Sequence, residues 1–157
     1  MHVLRTRLEM VNISQNVLND IQGMASLQSL IALNLGNYSH DHDVAARTTN
    51  CDLPDGNQLR NLETDGTIPK LRILRISGNK LQELNAASFP NLRTLYADNN
   101  SLCNLVKLDR LSKLENLSLR NQKGRGLYVY DTCDDLIGCA KIRDSNAVTF
   151  LPAMCAM

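Results

Sequence analysis

Four stretches of this chain obey one template, Leu-x-x-Leu-x-Leu-x-x-Asn-x-Leu-x-x-Leu. Self-similarity at so short a period leaves few folds open, because each unit is too small to bury its own apolar face and must stack on its neighbour. The first stretch, LEMVNISQNVLNDI from Leu8 to Ile21, puts Val11, Ile13, Asn16 and Leu18 on template. The clearest is LRILRISGNKLQEL, Leu71 to Leu84, with Asn79 in the Asn slot. LRTLYADNNSLCNL, Leu92 to Leu105, follows with Asn100, and LENLSLRNQ opens at Leu114 with Gln122 where the Asn would stand.

Each part of the template has a physical reading. Leu-x-Leu points two side chains inward from a short strand and one residue outward between them. An Asn amide can both donate to and accept from backbone groups where the chain turns off the strand. Return segments carry apolar residues at every third position (Leu105, Leu108, Leu111, Leu114; Ile21, Met24, Leu27, Leu30), a spacing suited to 3₁₀ or short helical turns. The chain is identified as a member of the leucine-rich-repeat class. The expected fold is therefore an α/β solenoid of about five repeats. It would have a short parallel β-sheet on the concave side and a 3₁₀, short helical or irregular convex side. Asn16, Asn57, Asn79 and Asn100 are the expected structural asparagines.

Register exposes an interruption. Val11 to Leu33 is 22 residues, Leu74 to Leu95 is 21 and Leu95 to Leu117 is 22, but Leu33 to Leu74 is 41. Removing one 22-residue repeat from that span leaves 19 residues, the length of GNYSHDHDVAARTTNCDLP, Gly36 to Pro54. Without it the chain reads LNL-DGNQL, and Leu30, Leu33, Leu35, Asn57, Leu59 and Leu62 all fall on template. Three explanations compete: a natural loop inserted in a repeat, a metal site using His40, Asp41, His42, Asp43 and Cys51, or a translated intron of 57 nucleotides. The ligand types match no closed zinc spacing. The expected organisation is a repeat domain over 1–122, interrupted at 36–54, and a non-repeat tail or degenerate cap over 123–157. In that tail Tyr128 to Tyr130 reads as a strand and Leu136-Ile137 as packing on the last repeat. With no convincing polar cap at either end, the chain reads as a fragment of a larger protein.

Composition narrows the function classes. Formal charge is +1, without the Lys/Arg stripe that direct nucleic-acid binding needs. No apolar run approaches a membrane span, and MHVLRTRLEM lacks the apolar core of a signal peptide. Five cysteines without a tight pair read as free thiols in an intracellular, reducing compartment. There is no Walker A, HExxH or G-x-S-x-G motif, so neither an enzyme nor a cofactor is expected. Binding is expected instead on the residues that point outward from the sheet. These are Asn12, Asn34, Arg75, Tyr96 and Ser118 in the central column, with Asp98 and Arg120 beside it. Arg and Tyr are the types that most often dominate interface energetics.

The 22-residue period resembles the intracellular subclass typified by a nuclear regulatory subunit of protein phosphatase 1. Within it, LRTLYADNNSLCNLVKLDRLSKLENLSLRNQ, Leu92 to Gln122, resembles the repeat domain of fungal spindle-pole-body scaffolds of the septation-initiation and mitotic-exit networks. The LSLRNQ ending carries that likeness. The resemblance implies a non-enzymatic scaffold for GTPase and kinase signalling modules or spindle-pole anchors, cytoplasmic or at the spindle pole body. The alternatives are a nuclear phosphatase regulatory subunit and a ribonucleoprotein-associated repeat protein.

Overall fold

The computed structural model describes residues 7–37, 57–123, 127–130 and 140–142. They form a parallel-strand β-solenoid of about four turns. Its strands, in chain order, are β1 (Met10–Asn12), β2 (Ala32–Asn34), β3 (Ile73–Arg75), β4 (Glu83–Asn85), β5 (Thr94–Tyr96), β6 (Asn104–Val106), β7 (Asn116–Ser118), β8 (Leu127–Tyr130) and β9 (Ala140–Ile142). One sheet runs β1-β2-β3-β5-β7, all parallel, with Val11, Leu33, Leu74, Leu95 and Leu117 in direct register. The template dictates that alignment, since only the middle residue of each three-residue strand faces the core. A slip by one residue would turn the whole apolar column outward.

The core is a stack of like residues. Leu30, Leu33, Leu35, Leu59, Leu71, Leu74, Ile76, Leu81, Leu92 and Leu95 are all within 1% of complete burial, and Phe89 is buried with them. Burying each such side chain contributes about 1.5–3 kcal/mol. The period-three return segments close as expected: Leu27 N donates to Met24 O, Leu30 N to Leu27 O, Leu92 N to Phe89 O and Leu114 N to Leu111 O, all at 2.9–3.1 Å. Single 3₁₀ turns lie at Met24–Ser26, Ala86–Ser88 and Leu108–Arg110.

Helix stops there. Among the described residues there is no α-helix, so the expected α/β class gives way to an all-strand solenoid with 3₁₀ corners. A period of three cannot sustain the 3.6-residue turn of an α-helix. The return side holds a second sheet that the template did not suggest, β4-β6-β8 parallel with β9 antiparallel to β8. β8 confirms the strand expected at Tyr128–Tyr130 and carries this sheet past residue 122. Leu136 and Ile137 lie outside the described residues. At the other end the first turn is thinly covered, leaving Leu8, Met10 and Val17 exposed.

The asparagine positions form a ladder. Asn79 Nδ2 donates to Ile76 O of its own turn (2.9 Å) and to Leu35 O of the turn before (3.1 Å), while its Oδ1 accepts Leu59 N at 3.2 Å. Asn100 repeats the pattern with Ala97 O, Ile76 O and Leu81 N, and Asn57 with Leu35 O, Ile13 O and Leu18 N. Gln122 takes the last rung, donating to Ala97 O and accepting Leu102 N. All three inner asparagines are buried, whereas Asn16 is exposed and bonds only within its own turn. Each amide thus satisfies buried peptide groups of two successive turns that no strand reaches.

The residue before each rung turns the chain with a left-handed backbone: Gln15, Gly78, Asn99 and Asn121 all have φ between 54° and 74°. Gly and Asn tolerate that region, which explains their prevalence at the slot. In the second turn Asn37 takes the corresponding place by its hydrogen bonding rather than by a left-handed φ, which corrects the placement of the interruption. Gly36 is buried, its N–H donates to Asn34 Oδ1 at 3.1 Å, and Asn37 N donates to Ser77 O at 2.8 Å. Gly36-Asn37 therefore belongs to the stack, and Asn57 takes the next rung; the 19 residues between them, 38–56, lie outside the described residues. The dipeptides Gly36-Asn37 and Asp55-Gly56 suit the turn equally well by composition, so spacing alone could not choose between them. His40, Asp41, His42, Asp43 and Cys51 lie outside the described residues, as does the metal reading built on them.

Candidate functional site

The face of the first sheet that points away from the core is the candidate site. Direct register brings Asn12, Asn34, Arg75, Tyr96 and Ser118 side by side across five strands. Neighbours in that row are about 4.8 Å apart, the spacing of adjacent strands. A groove of about 400 Å³ opens over the C-terminal ends of these strands, lined by Asn34, Gly36, Arg75, Ser77, Tyr96 and Asp98 together with Ser14 and Asn37.

Five of the seven expected binding residues (Asn34, Arg75, Tyr96, Asp98 and the row-end Asn12) are gathered at or beside this groove, but they are not equally free to bind. Asp98 is committed to the fold. Its Oδ1 accepts Ser118 Oγ at 2.6 Å and Arg120 N at 2.7 Å, and its own N–H donates to Ser77 Oγ at 3.1 Å. Ser118 is thereby spent on Asp98, and Arg120 is anchored by its backbone while its side chain stays exposed. The Arg75 guanidinium sits 5.7 Å from the centre of the Tyr96 ring, within cation–π range. No carboxylate pairs with Arg75 among the described residues; the Arg93–Glu115 ion pair, at 2.9 Å, lies on the exposed edge of the strands.

The two outward asparagines are oriented by their own turns. Asn34 Oδ1 accepts Gly36 N, and Asn12 Oδ1 accepts both Ser14 N (3.2 Å) and Ser14 Oγ (2.7 Å). A backbone N–H can only donate, so each amide oxygen must face its turn. The backbone closes in on the groove at Gly36, where an added Cβ would lie 3.3 Å from Asn34 Oδ1 and from Ser77 O. Ser14 and Ser77 line the groove from the outward column expected beside the central one, the column of Asp98 and Arg120. Gly36 and Asn37 are the lining residues missed from sequence, because both fell within the stretch read as an interruption or at its edge.

Among the described residues no three His, Cys, Asp or Glu side chains gather as metal ligands, and no helix is long and apolar enough to cross a membrane. Comparison with known proteins returned no matching family model, no matching curated protein and no matching solved structure.

Proposed function

We propose that the chain is a leucine-rich-repeat protein-interaction module, non-enzymatic, that binds its partner through the outward face of the β1-β2-β3-β5-β7 sheet. The observation that carries this reading is the row of registered outward side chains beside a groove, on a backbone whose own polar groups the asparagine ladder has already satisfied. Such a face is rigid, so binding costs little ordering entropy. The likeness of Leu92–Gln122 to spindle-pole scaffold repeats supports a more specific form: a scaffold segment that holds GTPase or kinase signalling modules, in the cytoplasm or at the spindle pole.

A photo-crosslinking residue at Tyr96 tests the proposal against one at Lys113, on the return side. Partner crosslinks from position 96 that vanish on Arg75→Glu, with none from position 113, are the expected result. Equal crosslinking from both positions would overturn the assignment of the face. Recovery of an RNA-bound rather than a signalling partner would overturn the scaffold reading.

A further inference from the structure

The outward face is unbalanced in its hydrogen bonding. Oδ1 of Asn12 and of Asn34 is consumed by the turns that follow β1 and β2, so what each residue shows to the groove side is the Nδ2 amide, a donor. Neither amide has an acceptor for Nδ2 among the described residues. The third member of the row, Arg75, carries donors only, and its guanidinium is exposed. Ser77 Oγ accepts Asp98 N, which leaves its hydroxyl proton to donate. The acid of the groove, Asp98, already accepts two bonds on one oxygen. Donors therefore line up across β1, β2 and β3, with an aromatic ring closing the row at Tyr96.

We propose that this row recognises an acidic, extended polypeptide segment lying across the strands, whose carboxylates accept from Arg75, Asn34 and Asn12 while a flanking side chain packs on Tyr96. The inference rests on the sheet face being the binding surface. Carboxylates fit because each can take a charge-assisted bond from the guanidinium and a second from a neighbouring amide. The row holds one positive charge beside a carboxylate, which suits spaced side-chain acids rather than a phosphodiester chain with a charge on every unit.

The test exploits Asn34→Asp, which keeps an oxygen for Gly36 N and replaces the outward donor by a negatively charged acceptor. Fluorescence anisotropy on the full chain would use a labelled peptide alternating Glu and Ala, with Gln/Ala and Lys/Ala counterparts. The Glu peptide should bind at least about tenfold more tightly than the Gln peptide, a difference expected of charge-assisted bonds. Asn34→Asp and Arg75→Gln should each remove that preference, with unchanged thermal unfolding. Lys80→Gln, on the return side, should leave it intact. Tenfold loss with Lys80→Gln as well would reduce the effect to overall charge and overturn the proposal, as would absence of Glu-peptide binding at millimolar concentration. Competition by an oligouridylate of equal charge would assign the row to phosphate instead. Equal binding of Glu and Gln peptides, abolished by Tyr96→Ala, would retire the acidic preference while leaving the face as the interface.

Discussion

The turn after β5 and the turn after β2 perform the same task, one with adjacent residues and the other with residues 20 positions apart in the sequence. At Asn99-Asn100 the chain goes straight from left-handed residue to ladder residue. Asn37 and Asn57 take the two corresponding places, and the backbone bonds around them match. Asn99 N donates to Arg120 O, Gly78 N to Asp98 O and Asn37 N to Ser77 O, each at 2.8 Å. On the far side Ser101 N donates to Leu81 O, Lys80 N to Leu59 O and Gln58 N to Leu18 O. The Asn37 side chain joins the two directly: its Oδ1 accepts Asn57 N at 2.8 Å and its Nδ2 donates to Asn57 O at 2.9 Å. Register is thus set by the ladder and by stacked leucines, not by chain continuity.

That comparison can be broken first at the ladder itself. Asn100→Ala removes an amide with no solvent exposure, strands Leu81 N and leaves Ile76 O and Ala97 O with the Asn79 and Gln122 amides alone; it should cost about 2–3 kcal/mol in urea unfolding. A cost below about 1 kcal/mol would mean that the ladder is incidental and leucine packing alone holds the turns. Deleting 38–56, which joins Asn37 to Asn57 in the manner of Asn99-Asn100, should stabilise the domain by about 2 kcal/mol, since a 19-residue excursion no longer has to be closed. Deleting 36–54 should fold as well, with Asp55 accepting Ser77 N as Asp98 accepts Arg120 N. Destabilisation by both deletions would show that the excursion contributes to the fold. Asn37→Ala should cost about 1–2 kcal/mol in the full chain through loss of the clip to Asn57. Asn16→Ala, at the exposed end of the ladder, should shift stability by about 0.5 kcal/mol or less, because water replaces the lost partner. If it matched Asn100→Ala, burial would not be what gives the rungs their weight.

The contrast also shows what the residues disclose before any coordinates. Leu33, Leu74, Leu95 and Asn79 were legible because burial admits few substitutes at those positions, so the pattern recurs without variation. Gln122 was legible as a rung because its amide has the same donors and acceptor as Asn. The second sheet was hidden. Its strands offer one inward residue each, Leu84 or Leu105, flanked by Glu83, Asn85 and Asn104, which are weak strand formers. Leu105 also belongs to a period-three series that reads as helical turns. At the candidate site the outward column was visible as positions, but not which of its groups were already engaged. Asp98 and Ser118 look as available as Arg75 until their bond to each other is seen.

The Asn37 clip carries a consequence for how the domain can be taken apart. Bonds that hold Asn37 to Asn57 directly should keep the two in place whether or not the chain between them is intact, so residues up to Asn37 and residues from Asn57 onward are expected to associate as two halves across one seam. The seam is rich in cross-links: β2 pairs with β3 in parallel, Asn57 reaches back to Ile13, and Asn37 reaches forward to Gly78. A protease cut within 38–56 should therefore leave the halves associated, and the halves expressed apart should reconstitute one domain. A solenoid sewn in this way has a built-in port, where sequence can be added, removed or severed while the stack on either side keeps its register.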